Sequence, residues 1–123
     1  MLIVDDVNDL RIGLVDIFNN EGFEVYEAEN GNEAMKIIDS TAIDILVTDI
    51  LMPEMDGIEL TKAAKQKLPN LRTIAISGGG RQLKSSQDID YLKQSKTLAG
   101  VDEILKKPFQ PTEIIQLVKN LSD

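Results

Sequence analysis

The chain has 123 residues, the length of a single domain, and its 42% apolar and 28% charged residues are ordinary for a globular protein. Because cysteine and histidine are absent, disulfides, Ser-His-Asp or Cys-His catalysis and thiolate or imidazole metal sites are excluded, and a metal would be bound by oxygen. The net charge of −8 disfavours nucleic-acid binding, and without a secretory signal or an apolar run of about 18 residues we expect a cytoplasmic protein outside membranes.

Short apolar runs and amphipathic stretches alternate along the chain. In chain order, the first part predicts a strand at 2–4, a helix with Leu10, Leu14, Ile17 and Phe18 on one face, a strand at 23–27, a helix with Ala34, Ile37 and Ile38, and a strand at 43–47. The second part predicts a helix with Leu60, Ala63, Ala64 and Leu68, a strand at 71–76, a helix around 88–98, a strand at 101–105, and a helix with Ile114, Leu117, Val118 and Leu121.

This alternation predicts an α/β fold of the (βα)₅ type, with a five-stranded parallel sheet and helices on both of its faces. The run at 43–47 is continuous and β-branched, which is typical of a central parallel strand. No linker or repeat divides residues 1–123, so we expect one domain and no effector domain in this chain. Whether the chain is complete or excised stays open.

Charged and polar residues stand at the predicted carboxyl ends of four strands. Asp5 and Asp6 follow the first strand, Asp49 the third, Ser77 the fourth and Lys107 the fifth. In an open parallel sheet, ligands bind beyond these ends, where the strand order reverses. With the order 2-1-3-4-5 the first and third strands are neighbours, and their three carboxylates would converge.

Three neighbouring carboxylates repel one another, and a divalent cation removes that cost. Mg²⁺ suits such a site because it prefers oxygen ligands and leaves room for a phosphoryl oxygen. Asp49 could then attack an activated phosphorus atom, while the Lys107 ammonium neutralises charge and the Ser77 hydroxyl hydrogen-bonds the arriving group.

Each of these residues alone also has a purely structural interpretation. Asp5 or Asp6 could cap a helix, Asp49 could belong to a turn, Ser77 to a loop, and Lys107 could be a solvated charge. The combination of three acids, a hydroxyl and a lysine at four strand ends is much less expected by chance than any single member.

Four segments give the chain a resemblance that covers nearly its whole length. They are Leu2-Ile3-Val4-Asp5-Asp6, the stretch from Val47-Thr48-Asp49 through Pro53 to Asp56-Gly57, the single residue Ser77, and Lys106-Lys107-Pro108-Phe109. The sequence resembles the receiver domain of two-component response regulators. The stretch from Asp49 to Gly57 is highly specific, whereas the other segments are strong only together.

The resemblance implies a flavodoxin-like (receiver) fold and a role for each matching position. Asp5, Asp6, Asp49 and the main-chain carbonyl of Leu51 would bind Mg²⁺, with Mn²⁺ as a substitute, and Asp49 would accept the phosphoryl group. Ser77 matches the switch hydroxyl and Lys107 the lysine that pairs with the phosphoryl group. The Lys107-Pro108 bond is often cis in this family.

The implied donor is a sensor histidine kinase or a histidine phosphotransfer protein, and the downstream protein target is unknown. The chain would catalyse only its own phosphorylation and dephosphorylation, and would contact neither nucleic acid nor membrane.

Two features depart from the family pattern. Ile104 stands where an aromatic residue is frequent, so an aromatic rotamer change cannot report phosphorylation. The segment between Ser77 and Lys107 is longer than usual and begins with three glycines at 78–80. We hypothesise that the loop at 78–90 is the regulated or partner-docking surface; a tolerated surface insertion is the alternative.

Three other functions fit these residues less well. A phosphatase or mutase with an aspartate nucleophile would place an acid two residues further on, where Leu51 and Val7 stand instead. A nucleotide binder would need a phosphate-binding glycine or hydroxyl cluster after the first strand. A purely structural interaction module is disfavoured because every acid, the hydroxyl and the lysine are present.

Overall fold

The computed structural model describes residues 1–50, 56–77 and 100–122. The elements in chain order are β1 (Leu2–Val4), α1 (Asn8–Asn20), β2 (Tyr26–Ala28), α2 (Gly31–Ser40), β3 (Ile45–Asp49), α3 (Gly57–Lys67), β4 (Arg72–Ser77), β5 (Glu103–Lys106) and α4 (Pro111–Ser122). The predicted helix around 88–98, the loop at 78–90 and Leu51 lie outside the described residues.

The five strands form one parallel sheet in the order β2-β1-β3-β4-β5. The predicted flavodoxin-like topology is therefore confirmed. Because every strand runs in the same direction, all carboxyl ends lie at one edge of the sheet. Asp49 at the end of β3 pairs with Ile76 of β4, and Ser77 of β4 pairs with Lys106 of β5. This edge carries the polar residues that the sequence singled out.

Side chains of successive strand residues point to opposite faces of the sheet, and the two largest apolar clusters of the described residues lie on these two faces. The first cluster joins alternate strand residues to α1 and α4, and includes Ile3, Val47, Ile74, Phe18 and Ile114. The second joins the other strand residues to α2 and α3, and includes Leu2, Leu46, Ile38, Leu60 and Ala64. Burying each large side chain contributes roughly 1.5–3 kcal/mol. Burial on both faces explains why the strands are continuous apolar runs.

The strand boundaries differ from the predicted ones by a few residues. The second strand is Tyr26–Ala28 instead of 23–27, because Phe23 and Val25 pack against the first cluster before the chain pairs with β1. The third is Ile45–Asp49 instead of 43–47, because the pairing with β4 continues through the polar Thr48 and Asp49. A pattern of apolar residues therefore does not predict the end of a strand where that end is polar.

The prediction that Leu10 lies on the buried face of α1 is wrong. Leu10 is 41% exposed, and Arg11 is only 6% exposed. Arg11, Leu14 and Phe18 are the buried residues of this helix, at a spacing of three and four positions. The guanidinium lies inside because it has acidic and carbonyl partners there. None of the described helices combines the length and the apolar character needed to cross a bilayer.

Candidate functional site

Asp5 follows β1 and is held on three sides. Its backbone N–H donates to the carbonyl of Ala28 at 3.2 Å, and its carbonyl accepts a hydrogen bond from Arg11 Nη1 at 3.0 Å. Its Oδ1 accepts from the backbone N–H of Val7 at 2.9 Å. The N-cap position of α1 is Val7, which makes no side-chain cap, so neither Asp5 nor Asp6 is the N-cap residue of this helix.

The three predicted acids meet at the neighbouring ends of β1 and β3. One carboxylate oxygen from each of Asp5, Asp6 and Asp49 lies within 4.8 Å of the other two. Asp5 and Asp49 are buried, whereas Asp6 is exposed and opens the group to solvent. Burial raises the pKa of the Asp5 carboxyl above its ordinary value, although the hydrogen bond from Val7 and the nearby charge of Lys107 act in the opposite direction.

Lys107 brings a positive charge to the same edge from the end of β5. Its Nζ lies 3.8 Å from Asp5 Oδ2 and 3.9 Å from Asp49 Oδ2. These are ion-pair distances that exceed the length of a hydrogen bond. The backbone N–H of Lys107 donates to the carbonyl of Ser77 at 2.8 Å, and the Lys107–Pro108 peptide bond is cis.

Three buried polar atoms at this edge lack a hydrogen-bond partner among the described parts of the chain: Asp5 Oδ2, Ser77 Oγ and Lys107 Nζ. A buried polar group left unpaired costs roughly 1–3 kcal/mol, so such groups are rare without a function. A cation beside Asp5, together with an anion beside Lys107 and Ser77, would satisfy all three. The oxygen-only donor set fits a hard divalent cation such as Mg²⁺.

Gly57 lies directly against the backbone of Asp49 and Ile50. Its N–H donates to the carbonyl of Ile50 at 2.8 Å, and a Cβ added at this position would lie 2.1 Å from the Asp49 carbonyl oxygen. The same carbonyl accepts a hydrogen bond from Thr48 Oγ1 at 3.0 Å. Asp56, the residue before Gly57, caps α3 by accepting from the N–H groups of Ile58 and Glu59.

Sequence reasoning missed the contributions of Arg11 and Gly57. An arginine within an apolar helix stripe, five positions after an acidic pair, could have indicated a buried partner for Arg11. The close approach of Gly57 has no signal in the sequence beyond the glycine itself. Leu51, whose carbonyl was the fourth expected metal ligand, lies outside the described residues.

The chain is similar to known signalling proteins over almost its entire length. The family model for the response regulator receiver domain matches residues 1–119. Sporulation initiation phosphotransferase F of Bacillus subtilis is 35% identical over 119 residues, which cover 97% of this chain and 90% of that protein. Chemotaxis protein CheY of Thermotoga maritima is 37% identical over 123 residues, which cover 99% of this chain and 96% of that protein.

A solved structure agrees with these sequence relatives. The crystal structure of a CheY-like response regulator receiver domain protein from Methanospirillum hungatei JF-1 matches with a TM-score of 0.85 and 27% identity, covering 98% of this chain and 91% of that one. Family match, relatives and sheet order agree with one another. The chain therefore belongs to the response regulator receiver domains, the phosphoryl-accepting domains of two-component phosphorelay signalling.

Proposed function

We propose that Asp49 is the phosphoacceptor of this receiver domain and that Asp5, Asp6 and the main-chain carbonyl of Leu51 bind Mg²⁺ together with it. The observation that supports this most directly is the convergence of the three carboxylates within 4.8 Å. Asp49 is buried at the tip of a central strand, where it pairs with Ile76 of β4 and its carbonyl accepts a hydrogen bond from Thr48 Oγ1. A nucleophile held in this way has little freedom to leave the reactive geometry.

In the proposed reaction an Asp49 carboxylate oxygen attacks the phosphorus of a phosphohistidine. The new O–P bond forms as the N–P bond breaks, and the imidazole leaves with the electron pair and takes a proton from solvent. The product is an aspartyl phosphate. Bound Mg²⁺ would supply neutralisation of the negative charge on the phosphoryl oxygens.

Lys107 and Ser77 act on the phosphoryl group after it arrives. The Lys107 ammonium is 3.9 Å from Asp49 Oδ2, close enough to pair with a phosphoryl oxygen attached there. Ser77 Oγ has no hydrogen-bond partner among the described residues. It can therefore donate to a second phosphoryl oxygen without giving up a hydrogen bond to any of those residues. This gain of one hydrogen bond on phosphorylation is the proposed trigger of the switch.

The biological setting is part of the same proposal. The donor is a sensor histidine kinase or a histidine phosphotransfer protein in the cytoplasm, and the target is a downstream protein. Residues 1–123 act as one domain that catalyses its own phosphorylation, with its own dephosphorylation as a further prediction. Mn²⁺ replaces Mg²⁺. The role of the loop at 78–90 stays a prediction from the sequence.

Mass spectrometry after incubation with acetyl phosphate and MgCl₂ tests the assignment. The wild type should gain one phosphoryl group, and Asp49→Asn or added chelator should abolish the gain. Asp44→Asn is the matched control, because Asp44 immediately precedes the same strand at its other end and its side chain is 89% exposed. The same mass gain in Asp49→Asn would show that another residue is the acceptor, and an unmodified wild type would favour a purely structural module.

A further inference from the structure

Arg11 is a buried cation that the proposed phosphoryl-transfer chemistry does not use. It lies in α1, on the face that packs against the sheet, and only 6% of its surface is exposed. Burying an arginine is costly unless its charge and its N–H groups are paired. The partners of Arg11 therefore indicate what its burial achieves.

The guanidinium connects the end of β2 to the end of β1. Its Nε donates to Glu27 Oε1 at 2.9 Å, and its Nη2 lies 3.7 Å from Glu29 Oε1. Its Nη1 donates to the main-chain carbonyl of Asp5 at 3.0 Å, in a hydrogen bond that is itself buried. The planar fork of an arginine can make these three contacts at once, whereas a lysine ammonium on a flexible stem cannot reproduce their geometry.

The carbonyl of Asp5 is a sensitive point for the acidic group. It belongs to the rigid peptide plane that ends at the Cα atom of Asp6, so its direction sets the orientation of both residues. β1 ends at Val4, and the backbone N–H of Asp5 already bonds to Ala28. The Val7 N–H holds the Asp5 side chain through Oδ1, and the hydrogen bond from Arg11 holds the Asp5 carbonyl.

We propose that Arg11 is a positioning residue for the metal site, which orients the carboxylates of Asp5 and Asp6 through the Asp5 carbonyl. The inference rests on the proposed function, because it assumes that these carboxylates bind Mg²⁺. It assigns Arg11 no contact with the ion or the phosphoryl group. A residue that orients ligands in this way typically contributes about ten- to a hundredfold to metal affinity.

The sign of the change in Mg²⁺ affinity distinguishes a positioning role of Arg11 from a simple charge effect. A cation near a metal site repels the metal, so removing the Arg11 charge alone should strengthen Mg²⁺ binding. Loss of positioning should weaken it. Arg11→Gln removes both the charge and the fork, whereas Arg11→Lys keeps the charge and removes the fork.

Titration calorimetry with MgCl₂ on the wild type, Arg11→Lys, Arg11→Gln and Arg72→Gln measures this sign. Arg72 is exposed and begins β4 at the opposite end of the sheet, so Arg72→Gln is the charge-matched control. We expect both Arg11 variants to bind Mg²⁺ roughly tenfold more weakly or worse, and the control to bind as the wild type does. Circular dichroism and urea unfolding establish which variants are folded.

A second measurement does not involve the metal. In the metal-free protein, hydrogen exchange at the Val7 amide, which donates to Asp5 Oδ1, should be faster in both Arg11 variants and unchanged in Arg72→Gln.

Each outcome has one interpretation. If the wild type does not bind Mg²⁺, the proposed metal site is wrong. If the wild type binds and the folded Arg11→Gln variant binds equally or more tightly, only the positioning role is overturned. Should Arg11→Gln not fold, Arg11→Lys decides, because it keeps the charge and most of the buried stem, and unchanged affinity in it contradicts the proposal.

Discussion

Lys107 Nζ lies 3.9 Å from Asp49 Oδ2, although β4 separates β3, which carries Asp49, from β5, which Lys107 directly follows. The lysine therefore reaches across the tip of β4, over the strand that ends at Ser77. The same Nζ is 3.8 Å from Asp5 Oδ2. One ammonium is therefore shared by two buried carboxylates. A bound metal ion or a phosphoryl group on Asp49 would change which of these groups the ammonium pairs with.

Lys107→Met should bind Mg²⁺ at least as tightly as the wild type and should be phosphorylated more slowly. Removing a positive charge beside Asp5 and Asp49 lowers the repulsion of the cation, but it also removes the partner of the phosphoryl oxygens. Calorimetry and the rate of modification by acetyl phosphate measure the two effects. Lys106→Met is the control, because Lys106 is the exposed neighbour. Weaker Mg²⁺ binding by Lys107→Met would contradict the assigned role.

Gly57→Ala should destabilise the protein and slow its phosphorylation. The added Cβ would lie 2.1 Å from the Asp49 carbonyl oxygen, so the backbone of the phosphoacceptor must shift, at a cost of about 1–3 kcal/mol. Gly13→Ala is the matched change, since an added Cβ there meets nothing within 4 Å and alanine stabilises a helix interior by up to about 1 kcal/mol. Urea unfolding that ranks the two variants in the reverse order would refute this view of Gly57.

Mg²⁺ should stabilise the folded chain by an amount that grows with the logarithm of its concentration above Kd. Binding to the native state alone adds about 2.7 kcal/mol at a hundredfold excess over Kd. Asp5→Asn should lose most of this gain, yet the metal-free variant should be more stable than the metal-free wild type, because burial disfavours the ionised Asp5. Thermal unfolding with MgCl₂ and with chelator gives both comparisons. Equal stabilisation of the variant by Mg²⁺ would place the ion elsewhere.

Asp102→Ala should cost stability without affecting the metal site. Its Oδ2 accepts hydrogen bonds from the Thr73 N–H at 2.8 Å and from Lys65 Nζ at 3.1 Å, at the amino-terminal end of β4. Leaving these donors unpaired should lower the free energy of unfolding by roughly 1–3 kcal/mol. Exposed Asp44 provides the control Asp44→Ala. A changed Mg²⁺ affinity in folded Asp102→Ala would show that the two ends of the sheet are coupled.

The alternating pattern was sufficient for a parallel sheet and for the residues gathered at its edge, because parallel strands bring every carboxyl-terminal residue to the same side, whereas the order 2-1-3-4-5 came with the fold that the family resemblance implies. The pattern was insufficient for Arg11, since an apolar stripe assigns the buried position to Leu10, and only the partners Glu27 and Asp5 make the burial of a guanidinium acceptable. The steric contact of Gly57 with Asp49 was equally inaccessible, because it depends on the exact approach of α3 to β3.

The alternation along β3 has a consequence for how this domain tolerates change. Leu46 and Val47 enter different apolar clusters, and Asp49 shares the pleat phase of Val47. Inserting or deleting one residue within this strand would exchange the two layers and turn the aspartate away from its acidic neighbours at the same time. The packing of the core and the position of Asp49 therefore depend on the same alternation of side chains along β3. Length variation in this family is expected in its loops and not in its central strand.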